Sequence, residues 1–138
     1  MKTLQLLTIF TGLLFISCSD PVSEIESIEK EETQPKDEYY VQYSATNYRI
    51  SSITYTGPNG SETISYGGTT AKISSWSDTF GPVYKPFKAS ISVRGHGGNI
   101  KPTTVSIRIS KNGGPFTLKA YDSSKMGGIA SASYSIEF

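Results

Sequence analysis

A chain of 138 residues with a formal net charge of +1 supplies one modest domain. Its single cysteine, Cys18, excludes an internal disulfide, so stability must come from packing and backbone hydrogen bonds. The small net charge conceals an asymmetry: residues 20–38 carry eight acidic and two basic side chains (net −6), and residues 39–138 carry four acidic and ten basic ones (net +6).

At the amino terminus Lys2 precedes a mostly apolar run from Leu4 to Ile16, which ends at Ser17-Cys18. A charge, a short apolar segment and small residues are the order of an export signal, and the run is short for a permanent membrane span. Phe15-Ile16-Ser17-Cys18 resembles the processing box of bacterial lipoproteins, with Phe15 in place of the more common Leu. The resemblance implies a signal peptide over 1–17, lipidation of Cys18 and anchoring through several acyl chains. Ser19 is not the Asp associated with inner-membrane retention, and the acids from Asp20 onward are similar to those of surface-exported lipoproteins of Bacteroidota. The location implied is the outer membrane, lipid-anchored, with the cell surface as its exposed side. A lone thiol has neither a resolving partner nor a metal cluster, so no redox or metal role is expected of Cys18.

Residues 18–38 read as the lipidated cysteine and an acidic, disordered tether, with Pro21, Pro35 and no aromatic residue. A transient helix over Ser23 to Glu32 is the alternative. As a coil the tether spans roughly 25 Å, enough to lift a small domain clear of headgroups.

From Tyr39 to Phe138 the periodicity becomes two, and this range is expected to be the folded domain. Val41, Tyr43 and Ala45 share one face of a first strand, and Ile53 and Tyr55 share one face of a second around Arg49 to Thr56. Asn59-Gly60 predicts a hairpin into Glu62 to Tyr66. A short edge strand is expected over Ala71 to Ser75, leading to Trp76. Phe87, Ala89, Ile91 and Val93 alternate with Lys88, Ser90 and Ser92, and Val105, Ile107 and Ile109 alternate with Ser106, Arg108 and Ser110. Asn112-Gly113-Gly114-Pro115 turns the chain into Phe116 to Tyr121, and Ile129 to Phe138 supplies a last strand. Seven or eight short antiparallel strands with one dry face each predict an all-β sandwich; a small barrel is the runner-up.

The series Tyr39 to Tyr43, Ile53-Thr54-Tyr55, Ser75-Trp76 with Phe80, Phe87 to Val93, and Val105 to Ser110 before Asn112-Gly113 resembles the small immunoglobulin-like sandwich of MmpS-type membrane-associated proteins. It is also similar to many uncharacterised lipoproteins of Bacteroidota. The resemblance implies a sandwich and an accessory role beside an envelope protein, and it supplies no catalytic residue.

No catalytic constellation stands out. His96, in Gly95-His96-Gly97-Gly98, has no neighbouring acid, cysteine or second histidine. The domain acids Glu62, Asp78, Asp122 and Glu137 are widely separated, and no phosphate loop, calcium loop or nucleophile elbow occurs. No cofactor or metal is expected. The lysines and arginines between Lys72 and Lys125 are dispersed, which reads as a solvated face; nucleic acid is disfavoured by the export route. Trp76, Phe80, Tyr84 and His96 are the candidate ligand contacts, Trp76 and Phe80 having core or rim packing as their competing role. The expectation is a lipid-anchored envelope accessory or binding module without catalytic activity, with an envelope protein or glycan as partner. The alternatives are a surface carbohydrate-binding lipoprotein and an enzyme of unknown class.

Overall fold

Alternation of apolar and polar residues produces eight strands: β1 (Tyr39–Thr46), β2 (Ile50–Gly57), β3 (Gly60–Ser65), β4 (Ser75–Val83), β5 (Phe87–Gly95), β6 (Thr104–Lys111), β7 (Thr117–Ser123) and β8 (Ile129–Ile136). The structure, a computed structural model, describes residues 36–67, 72–98, 101–126 and 128–137. The signal segment, Cys18, the tether as far as residue 35, and Phe138 lie outside the described residues.

The strands form two four-stranded antiparallel sheets, in the orders β4-β1-β6-β7 and β3-β2-β5-β8. Among the described residues the two outer strands of each sheet have no further strand beside them, so the molecule is a sandwich and not a closed barrel. Successive strands run up and down alternately. One pole therefore collects the chain entry at Lys36–Glu38, the turns after β2, β4 and β6, and the end of β8; the other collects the remaining turns.

The inner faces are those the alternation selects. Val41, Tyr43, Ala45, Ile53, Ala89, Ile91, Val93, Val105, Ile107, Ala130 and Ile136 are all buried. Tyr43 ties the sheets together: its hydroxyl donates to the Thr56 carbonyl at 2.9 Å and accepts from the Ser90 N–H at 3.2 Å, both in the facing sheet. Among the described residues, every strand and every member of the core comes from the compact unit Thr33–Phe138.

Two local readings differ from the structure, while the expected first hairpin forms between β2 and β3. Ala71 lies outside the described residues, and residues 72–74 of the expected strand form none; β4 instead begins at Ser75 and holds Trp76 and Phe80 within it, paired to β1. The carbonyls of Ile73 and Ser74 instead accept from Ile50 and Asn47 as the chain crosses between sheets. In the first hairpin the turn residues are Pro58 and Asn59, flanked by the Gly57–Gly60 pair. Proline fixes a negative φ and so excludes the type I′ turn, and the positive φ of this hairpin is at Gly60 (111°). Ser106 and Ser110 lie on the outward register but are buried, because Tyr121 and Tyr40 stand beside them on the neighbouring strands.

Gly81 answers a packing demand. It adopts φ 151°, and a Cβ there would lie 2.8 Å from the Tyr39 carbonyl oxygen and 2.7 Å from the Tyr40 ring, beside the β1–β4 register shift.

Candidate functional site

The four candidate ligand contacts do not converge. Trp76 packs on Tyr55 with ring centroids 5.0 Å apart, and Phe80 packs on Tyr43 at 5.9 Å and on Phe87 at 6.1 Å. Both are half-buried against the core. Tyr84 is exposed at the chain-entry pole, with the Lys36 ammonium 4.5 Å from its ring centroid. His96 is exposed at the opposite pole, its Nδ1 2.7 Å from the Gly97 carbonyl oxygen. Cys18 lies outside the described residues.

Folding does unite two of the dispersed acids. Glu62 on β3 and Asp78 on β4 both reach the Tyr55 hydroxyl, which donates to Glu62 Oε2 at 2.9 Å. Glu62 folds back over Gly57, where a Cβ would come within 2.1 Å of its Oε1. Burial foremost, and then the hydrogen bond to Glu62, raises the Tyr55 phenol above its usual range. The arrangement is a polar tie between the open edges of the two sheets. Among the described residues no group of three or more His, Cys, Asp or Glu side chains could hold a metal ion.

The more developed site arises where β7 diverges from β8. Toward the far pole the two strands are linked by the Ser131 N–H, which donates to Asp122 Oδ2 at 2.8 Å. Toward the chain-entry pole they separate around a cavity of about 350 Å³ lined by Lys85, Lys111 and Lys119, Tyr39 and Tyr134, with Ile109 and Ile136 at its apolar wall. Lys85 and Lys111 hold their ammonium groups 5.9 Å from the Tyr39 ring centroid, and Lys119 holds its own 5.9 Å from that of Tyr134. These distances lie at the outer limit of cation–π contact, so the rings attract the ammonium groups without immobilising them. Among the described residues Glu137 is the one carboxylate lining the cavity.

Each lysine arrives by a different local route. Lys85 sits in the turn between β4 and β5, and Lys111 ends β6. Lys119 is the extra residue of a bulge in β7: Ala120 pairs with Ile107 and Leu118 with Arg108, so the residue between them has no partner on β6. A bulge turns such a residue out of the ladder, here into the cavity. Leu118 keeps the outward register of Arg108 and is consequently exposed.

The chain entry is clasped to this site. Asp37 pairs with the Lys111 ammonium at 2.7 Å and accepts from Asn112 Nδ2 at 2.9 Å. Asn112 Oδ1 accepts from the Glu38 N–H at 2.9 Å, and the Asn112 N–H donates to the Glu38 carbonyl at 2.8 Å. The hydrogen bonds to Lys111 and then to Asn112 hold the Asp37 carboxyl below its usual range, and the same ion pair holds Lys111 above its own. Lys85 and Lys119 have no carboxylate partner among the described residues. The grouping was not visible as a motif, since its three lysines are 34 positions apart from first to last. The available signal was the excess of positive charge over residues 39–138. Compared with known proteins, the chain matches no protein-family model, no curated protein and no solved structure.

Proposed function

We propose that this chain is a lipid-anchored binding module of the cell envelope, without catalytic activity, which takes an anionic ligand in the lysine–tyrosine cavity. The observation that carries the reading is the convergence of Lys85, Lys111 and Lys119 on the rings of Tyr39 and Tyr134 around that cavity. Ammonium groups gathered around one cavity present concentrated positive charge to an anion, and the tyrosine faces offer flat apolar contact beside it. Membrane lipid through acylated Cys18, the outer membrane as location and an accessory role of the MmpS type follow from the sequence resemblances. A glycan-binding role through Trp76 and Phe80 has less support, because both rings are engaged in packing across the sandwich.

Titration of the protein with inorganic phosphate, sulfate and citrate, followed by amide chemical shifts, tests the reading. The anions are expected to move resonances of residues 111–119 and 134–137, and the double variant Lys85→Ala/Lys119→Ala is expected to lose the response while keeping its fold. Shift changes confined to other regions, or an unchanged response in the variant, would refute the assignment.

A further inference from the structure

The cavity opens at the pole where the chain enters, and that pole carries more than its three lysines. Lys36 stands over Tyr84, and Tyr84 and Phe116 are exposed there, at 39% and 38%. Phe116 lies in the turn that leads into β7, next to the cavity wall formed by Gly114 and Pro115. Lysines interleaved with exposed aromatic rings on one end of a domain are suited to a bilayer interface, where rings sit at headgroup level and ammonium groups meet phosphates. Among the described residues, a far-pole cavity of about 330 Å³ is lined by Thr46, Asn47, Lys101, Pro102 and Thr104, with a single lysine and no aromatic residue.

We infer that the chain-entry pole docks on the membrane surface, with the phosphate of a lipid headgroup held between Lys85 and Lys119 and with Tyr84 and Phe116 resting in the interface. Asp37 occupies Lys111 and orients it, which leaves the other two ammonium groups for the phosphate. The inference rests on the anion-binding reading of the same cavity and adds the ligand's class and the module's orientation.

Co-sedimentation of the unit Thr33–Phe138 with vesicles tests this without the apolar amino-terminal segment. The unit is expected to bind phosphatidylcholine vesicles containing phosphatidylglycerol, more weakly as salt rises, and to bind pure phosphatidylcholine vesicles less. The double variant Lys85→Ala/Lys119→Ala is expected to bind the anionic vesicles about 30-fold more weakly, on the basis of the usual contribution of two lysines at an anionic surface. Tyr84→Ser/Phe116→Ser is expected to weaken binding while preserving the melting temperature, and Lys101→Ala at the far pole is expected to leave it unchanged. Equal binding by parent and the lysine variant would overturn the docking. So would soluble glycerol phosphate perturbing the cavity resonances in a protein that ignores vesicles, a result that leaves the anion-binding reading standing. Failure with both glycerol phosphate and vesicles would overturn both.

Discussion

Tyr43 shows how one side chain serves packing and polarity together. Its ring is fully buried at 0% exposure, and its hydroxyl satisfies a carbonyl and an N–H in the opposite sheet. Removing the hydroxyl leaves those two partly buried groups without this partner, so Tyr43→Phe should destabilise the domain by about 1–2 kcal/mol, measured by urea unfolding. Burial, the largest influence, pushes this phenol up to about 12. The folded state therefore keeps a proton that the unfolded chain releases near pH 10, and the stability this represents is complete below that pH and declines above it. Stability should fall between about pH 10 and 12 with a slope approaching 1.4 kcal/mol per unit from Tyr43 alone, and Tyr55 adds in the same direction. A flat stability profile across that window, followed by far-ultraviolet circular dichroism, would contradict it.

Among the elements, β7 and the turn before it do the most to shape the site. Asn112 and Gly113 take positive φ values of 50° and 73°, which reverses the chain tightly enough to place Asn112 against Glu38 and Asp37. Asparagine tolerates this backbone and supplies the amide that clasps the chain entry. Asn112→Ala should cost about 1–2 kcal/mol, through both backbone strain and the lost side-chain hydrogen bonds. Asn112→Gly should relieve the strain and retain only the second loss, so thermal denaturation should rank it between the parent and the alanine variant. Beyond the turn, the bulge at Lys119 explains an otherwise odd surface: it delivers a cation to the cavity and leaves Leu118 in water at 55% exposure. Strict alternation along Phe116 to Tyr121 could not show this, since one unpaired residue inverts the register on one side of it.

On the scale of the whole molecule, Trp76 and Tyr55 belong to different sheets and touch at 5.0 Å, so indole fluorescence reports the closure of the sandwich. Unfolding of Thr33–Phe138 followed by Trp76 emission and by β-sheet circular dichroism should give coincident transitions, because neither sheet has a core of its own. Separate midpoints would show that the sheets come apart independently. Alternation in the chain by itself determined most of the strands, though not β4, and their dry faces: Val41, Ile91 and Ile107 are buried because a strand presents every second residue to the same side. It also determined an excess of positive charge over residues 39–138. Only the tertiary structure decided where that charge gathers, that Glu62 and Asp78 meet at Tyr55, and that Trp76 and Phe80 pack inward. Period and composition are properties of neighbours along the chain, whereas the cavity depends on the order of strands, a bulge of one residue and the divergence of two sheet edges.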